Sequence, residues 1–299
     1  MRILVSGSTG LIGAALCTSL RADGSDVVRL VRHRSAAPDE RLWDPAGGQL
    51  DPNHVEGFDA VVHLAGAGIG DRRWSKGRRR LILQSRVSST RLLAERLAAA
   101  KRKPKVLISG SAIGYYGERI EPVTEEDGPA QPPDFLSEVA VAWEAAAVPA
   151  ESAGIRTVAI RTGIVLAKRG GALGKLLLPV KLGVGGKLGS GETWWSWISI
   201  DDEVRAIKHL MTAPVSGAVN LTAPRPVTNA EMTKTLGRVL HRPTLIPVPR
   251  FVLEMLLGKD LAASLLFTSA RILPAKLEES GFEFRHRDIE SALRAVLDR

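Results

Sequence analysis

Apolar residues in the first half of the chain come in short unbroken runs, and between the runs they recur every three to four positions. "RILVSG" (Arg2 to Gly7) is such a run, closed by glycine, and in the following "LIGAALCTSLRADG" Leu11, Ala15, Leu16 and Leu20 fall at helical spacing. Gly24 predicts the end of that helix. "DVVRLVRHR", "FDAVVHLAGAG", "KVLISGSAIG" and "GIRTVAIRTGIVL" read as the second to fifth strands. Between the third and fourth, Leu83, Val87, Thr90, Ala94 and Leu97 predict one face of a long helix. Before the fifth, "DFLSEVAVAWEAAA" places Leu136, Val139, Ala140, Trp143 and Ala147 on one apolar face, with Asp134 or Ser137 as candidate cap. Strands joined through helices of this length require right-handed crossovers, so the expected fold class is α/β, a doubly wound parallel sheet with helices on both faces. From about Lys168 the pattern loosens into glycine-rich loops and then helices. The expected division is residues 1–166 for the sheet domain, completed by segments within 194–222, and 167–299 mainly for a smaller C-terminal domain.

Composition narrows the class. The chain has 299 residues, 44% hydrophobic and 24% charged, as in a water-soluble globular protein. No apolar run reaches the roughly 18 residues of a membrane span, and "MRILVSG" is too short in apolar residues for a secretion signal, so a cytoplasmic protein without a membrane partner is expected. The single cysteine, Cys17, sits in an apolar helical pattern and is expected to pack. A formal charge of +9, with "DRRWSKGRRR" (Asp71 to Arg80) and "KRKPK" (Lys101 to Lys105), raises nucleic-acid binding. These runs flank the ends of one predicted helix, Trp74 is the one interleaved aromatic, and no zinc or helix-turn-helix signature accompanies them. They read as solvated helix ends, and nucleic acid is not an expected partner.

The sharpest local signal is "GSTGLIG", with Gly7, Gly10 and Gly13 between a predicted strand and helix and Ser8, Thr9, Leu11 and Ile12 filling the loop. A backbone that turns tightly and approaches a pyrophosphate leaves no room for side chains at those glycines, and the helix start offers unpaired N–H groups to the anion. Dinucleotide binding is therefore expected. An NAD site would carry an acid about 20 positions further on, for the ribose 2′-OH. That region reads Val31-Arg32-His33-Arg34, while Asp26 stands at the strand's start. Guanidiniums there suit a 2′-phosphate, so Arg32 and Arg34 point to NADP as cofactor.

With "SGSTGLIG", "DAVVHLAGAG", "SGSAIGYYG" and "WISIDDEVRAI" in order, the chain resembles an extended short-chain dehydrogenase/reductase with a Rossmann-like sheet. "RRW", "SRVSSTRLL", "RTGIVL", "GGALGKLLLPVKLGVGGKLGSGE" and the tail from "PVPRFVLEMLL" onward are similar to its atypical "epimerase family" branch, related to nucleoside-diphosphate-sugar epimerases. The resemblance implies a small-molecule substrate, a nucleotide sugar or another carbonyl or alcohol compound, bound with help from the C-terminal domain. It also implies that Leu64, Ala65 and Gly66 approach the adenosine side of the cofactor and that Arg86 reaches its phosphate, although Arg86 reads equally as part of a solvated helix face. Arg161 and Gly163 fall toward the nicotinamide side.

In the wider superfamily a serine and a tyrosine polarise the substrate, and a lysine four residues after the tyrosine lowers the phenol's pKa. Ser111 matches the serine, with one extra residue before the tyrosine-glycine pair. The tyrosine and lysine positions, counted back from Glu144, fall on Leu136 and Ala140, which cannot transfer a proton. Two roles are then open to Tyr115 and Tyr116, as replacements for the lost phenol or as walls of the pocket. Two functions stay open with them: an NADP(H)-dependent oxidoreductase or epimerase-like enzyme, or a non-catalytic NADP(H)-responsive regulator or scaffold, for example in cell division. Asp59 and Asp202 read as turn or capping residues. In "ETWWSWIS" an aromatic substrate platform and interdomain packing compete; Trp195 and Trp197 share one face of an extended segment and Trp194 the other, which favours packing, with Trp197 in the core.

Overall fold

The computed structural model describes residues 1–33 and 37–298, so Arg34, expected at the ribose edge, lies outside the described residues. β1 (Arg2–Ser6) runs through Gly7 into α1 (Leu11–Ala22), which returns to β2 (Asp26–Val31). β3 (Glu40–Asp44) and β4 (Gln49–Leu50) are not foreseen in the apolar pattern, because their deeply buried apolar positions are Trp43 and Leu50 alone. β5 (Ala60–His63), α2 (Lys76–Ala99) and β6 (Val106–Ala112) follow, then β7 (Arg119–Val123), α3 (Phe135–Ala145), α4 (Val148–Ser152) and β8 (Arg156–Thr162).

The fifth expected strand is divided. After Thr162 the chain leaves the sheet at Gly163, and β9 (Ile164–Leu166) pairs elsewhere. A Cβ on Gly163 would lie 2.7 Å from the Ser196 carbonyl oxygen, so this close crossing needs glycine. The remainder comprises α5 (Gly171–Lys181), β10 (Trp194–Trp195), β11 (Trp197–Ser199), which pairs with β9, α6 (Ile200–Thr212) and β12 (Gly217–Leu221). β13 (Val227–Thr228), α7 (Asn229–Leu240), α8 (Arg250–Leu257), α9 (Lys259–Ala262), β14 (Ala270–Ile272), α10 (Ala275–Glu279) and α11 (Ile289–Leu297) complete it.

The main sheet has the order β12-β8-β6-β5-β1-β2-β3-β4, parallel except between β3 and β4. Strand neighbours alternate faces, as the period of two requires. Ile3, Val5 and Val62 pack with Leu16 and Leu20 of α1 and Leu210 of α6, whereas Leu4 and Val61 pack with Leu93 and Leu97 of α2. Both faces are covered, so the strands read as nearly continuous apolar runs. Cys17 is buried in the first of these cores. Trp195 and Trp197 share a third core with Leu236 and Leu293 of the C-terminal part, as their alternation predicts, and Trp197 is completely buried.

One expectation along α2 is corrected: its first half is rotated by one residue, with Ile82, Arg86 and Ser89 buried and Leu83 and Val87 only half so. The basic run at its start is solvated, Arg72, Arg73, Lys76 and Arg80 being exposed, and several of its cations also have partners. Ser75 caps the helix, Arg79 pairs with Asp260 at 2.6 Å, Arg78 donates to the Gly68 carbonyl, and Arg73 donates to the carbonyls of Met255 and Leu256. Like charge at a helix N-terminus opposes the helix dipole, and here these partners offset it while tying α2 to α8 and α9. Among the described residues no helix is long and apolar enough to cross a membrane.

Candidate functional site

From β1 the chain winds outward both ways, to β2 on one side and later to β5 on the other, which opens a crevice at their carboxyl ends. A cleft of about 770 Å³ occupies it. Gly7, Ser8, Thr9, Gly10, Val31, Arg32, Leu64, Ala65 and Gly66 line this cleft, so the structure brings these expected residues together. Gly7 has φ of +70°, and a Cβ there would lie 2.6 Å from the Leu64 carbonyl carbon; one on Gly13 would lie 2.2 Å from the Gly7 oxygen. The loop is therefore packed against β5 and against its own helix. Leu11, Ile12 and Gly13 stand behind it in the first turn of α1. That turn carries no acidic residue, and its N-cap, Gly10, supplies no side-chain cap, so the N–H groups at this helix start are left for an anion.

Behind the lining residues Trp43 and Ser89 of the cleft, His63 is fully buried, bonded to Ser6 Oγ at 2.6 Å and Ser89 Oγ at 3.1 Å, with the Trp43 ring edge-on at 5.9 Å. Burial lowers its pKa to about 3, which keeps the imidazole neutral. Asp44, Pro45 and Ala46 from the β3–β4 turn, with Ser85 and Ser88 from α2, also line the cleft and were missed in the sequence. The "DPAGG" turn was the available signal for Asp44, Pro45 and Ala46.

A second cavity, about 200 Å³, lies beyond the carboxyl ends of β6 and β8. α3 supplies one wall: Asp134 caps its start by accepting from Ser137 N at 2.9 Å, and Leu136, Val139, Ala140 and Trp143 face the space. Gly110 and Gly114 let this helix close onto β6, since added Cβ atoms would lie 2.7 Å from the Trp143 ring and 3.1 Å from the Leu136 Cβ. Gly163, Trp194, Trp195, Leu265 and Ala270 complete much of the lining. Arg86 is the titratable residue in it. Its guanidinium lies 4.9 Å over Trp143 and donates through Nη1 to the carbonyls of Ala67 and Ile82. Arg86 is thus 7% exposed, and the solvated-face alternative does not hold. A Cβ on Gly66 would come within 3.2 Å of the Arg86 guanidinium carbon, so cleft and cavity meet at this side chain.

Ser111, Tyr115 and Tyr116 do not reach the cavity lining. Ala112 and Gly114 take those places. Ser111 donates to Glu144 at 2.6 Å, and Glu144 holds Arg161 through two bonds of 2.8 and 2.9 Å. Tyr116 is completely buried; its hydroxyl donates to Asn220 Oδ1 and accepts from Arg161 Nη1, both at 2.8 Å. Burial raises this phenol's pKa. Tyr115 stacks under the Arg161 guanidinium at 3.4 Å. None of the three side chains expected to face the substrate therefore lines this cavity. Ile113–Tyr116 form a 3-10 turn in which Tyr116 is completely buried and Tyr115 half-buried. Asp59 accepts from the Arg2 amide, and Asp202 from the amides of Arg285 and His286, both at structural ties.

Residues 3–222 match the NAD dependent epimerase/dehydratase family, and residues 248–296 match a domain of unknown function, DUF1731. An epimerase family protein of Mycobacterium bovis, Mb2239, is 41% identical over 292 residues, spanning 97% of this chain and 96% of the relative. The human epimerase family protein SDR39U1 is 35% identical over 301 residues, spanning 99% and 100%. The crystal structure of human SDR39U1 (isoform 2) with NADPH superposes with a TM-score of 0.90 at 34% identity, covering 100% of this chain and 99% of that one. MoeE5 in complex with UDP-glucuronic acid and NAD, at 19% identity, 100% and 98% coverage and a TM-score of 0.79, shares the fold. The chain belongs to the NAD dependent epimerase/dehydratase family.

Proposed function

We propose that this protein is an NADP(H)-binding oxidoreductase that acts on a small molecule held in the cavity, without the tyrosine–lysine proton relay of its superfamily. The carrying observation is the pairing of a cleft lined by the glycine loop with a cavity walled by Leu136 and Ala140, the positions to which the family resemblance assigns the relay. The human relative crystallised with NADPH supports the choice of cofactor.

The residues present fit that cofactor. The uncapped, acid-free start of α1 beside Gly7 and Gly10 suits a pyrophosphate. Arg32 on the rim suits a 2′-phosphate, and Leu64, Ala65 and Gly66 form an uncharged wall. Bound there, the cofactor supplies hydride chemistry. Gly163 and Ala112 keep the neighbouring cavity free of bulk, and the apolar face of α3 keeps water out of it. A positioned general acid or base contributes about 10²- to 10⁴-fold in rate, so turnover is expected to be slow or confined to substrates that exchange their proton with water. The second reading, a non-catalytic NADP(H)-responsive regulator, is favoured by the same Leu136 and Ala140.

Calorimetric titration with NADPH and NADH, followed by NADPH oxidation against a panel of carbonyl compounds, separates these. Tight, NADPH-selective binding with substrate-dependent oxidation is the expected result. Binding without turnover moves the protein to the regulatory reading, and no dinucleotide binding overturns both.

A further inference from the structure

Large apolar side chains left in water are gathered in one part of this molecule. Leu178 and Leu182 of α5 and Val184 after it are more than half exposed, as are Leu245 and Ile246 of the segment before α8 and Phe251, Met255 and Leu256 of α8 itself. Elsewhere among the described residues only Met1 and Ile120 are exposed to that degree. Monomeric water-soluble proteins rarely leave such groups together, and a patch of them marks a contact.

The backbone brings these residues side by side. Arg242 Nε donates to the Lys181 carbonyl at 3.1 Å, Gly186 and Leu245 form an antiparallel bridge, and the Val248 amide donates to the Lys187 carbonyl at 2.9 Å. A Cβ on Gly186 would lie 1.8 Å from the Ile246 carbonyl oxygen, so the two segments touch backbone to backbone, and Leu245 projects from them 86% exposed. Pro249 then starts α8, where Phe251 and Met255, four positions apart, share the outer side while Leu253 packs on the third core.

The charge on this face has one dominant sign. Residues 178–188 and 242–256 hold Lys181, Lys187, Arg242 and Arg250 and one acid, Glu254, which Arg250 pairs with at 2.7 Å. Arg242 bonds backbone carbonyls, and neither Lys181 nor Lys187 forms an ion pair among the described residues. Arg73, exposed, donates to the carbonyls of Met255 and Leu256 and adds a further cation.

Protruding aliphatic groups among cations complement a bilayer that contains anionic lipids, whose phosphates lie above a hydrocarbon layer. Other occupants fit less well. A second copy docked about a two-fold axis would set this cationic face against itself. A nucleic acid would take up the cations and leave the aliphatic groups without a partner.

We infer that this face docks on the surface of an anionic membrane, with Leu245, Ile246 and Phe251 entering the headgroup layer and Lys181, Lys187 and Arg242 meeting lipid phosphates. Among the described residues no helix is able to cross a bilayer, and this contact is one of surface attachment. It goes beyond the proposed function, since none of these residues lines the cleft or the cavity.

The test is flotation of the full chain with phosphatidylcholine vesicles prepared with and without phosphatidylglycerol. Binding to the anionic vesicles should be at least about tenfold tighter and should weaken as salt rises. Leu245→Glu with Ile246→Glu should weaken it by about tenfold or more, and so should Lys181→Glu with Arg242→Glu. Lys101→Glu with Lys105→Glu makes the same change in net charge before β6 and should leave binding within about threefold. All these residues are exposed, so each variant should unfold at the wild-type midpoint. A polarity-sensitive dye on Leu245→Cys, which labels selectively because Cys17 is buried, should shift to the blue on anionic vesicles. No binding to anionic vesicles, an unmoved dye, or equal loss in the Lys101 and Lys105 variant overturns the inference. So does light scattering that shows a dimer split by the Leu245 and Ile246 variant, which would assign the face to a second copy.

Discussion

Arg32 stands exposed on the rim of the cleft, beside residues that wall it from β1 and β5. Only NADPH presents a 2′-phosphate at that edge, and a hydrogen bond to a charged group contributes about 1.5–3 kcal/mol. Arg32→Ala should therefore weaken NADPH by roughly ten- to a hundredfold and NADH by little, measured by titration of each; equal weakening would place the ribose elsewhere. At this scale the glycines were legible because an absent side chain is itself the signal. Ser111, Tyr115 and Tyr116 were legible as a motif but not as positions. Ala112 lines the cavity, while the three polar groups belong to the Glu144, Arg161 and Asn220 network.

That network joins elements. Glu144 of α3 and Arg161 of β8 form a two-bond pair in which the arginine side chain is 5% exposed, and Asn220 of β12 closes it through Tyr116. Removing one member of a buried pair leaves an uncompensated charge and typically costs about 3–5 kcal/mol, whereas replacing both with apolar groups of similar size is often nearly neutral. Arg161→Met should thus lower the urea midpoint strongly, and Arg161→Met with Glu144→Met should recover much of the loss. A double variant as unstable as the single would show that the pair acts through more than its charge. Long elements such as α2 were legible from their period, but its rotation was not: Arg86 faces inward because it stacks on Trp143, a partner 57 residues away. β3 and β4 escaped because two buried positions do not make a period.

Across the whole molecule, two buried groups oppose each other in pH. Glu203 is fully buried against Thr162, and burial raises its carboxyl from 4.5 to about 8. The folded chain keeps this proton where the unfolded chain has released it, so its contribution to stability is complete below about pH 4.5 and is lost as pH rises toward about 8. His63, lowered from 6.5 to about 3, contributes fully above about pH 6.5 and loses that as pH falls. Between about pH 6.5 and 8, of these two, Glu203 alone acts. Thermal unfolding of the wild type should therefore drop over that window, and Glu203→Gln should flatten the drop; an unchanged slope would mean that Glu203 is not protonated in the fold. In "IDDEVRAI" nothing distinguishes Glu203 from its acidic neighbours. Tertiary packing of α6, which places Glu203 beside Thr162 of β8, buries it.

The sequence by itself determined the alternation of strands and helices and the turn at Gly7. These follow from local periodicity and from backbone room. Tertiary structure alone decided that Leu136 and Ala140 wall a cavity, that Tyr116 is locked away from it, and that Arg86 lies buried between cleft and cavity. Each of these depends on which distant segment packs against the residue, and neither its identity nor its neighbours in the chain specify that segment.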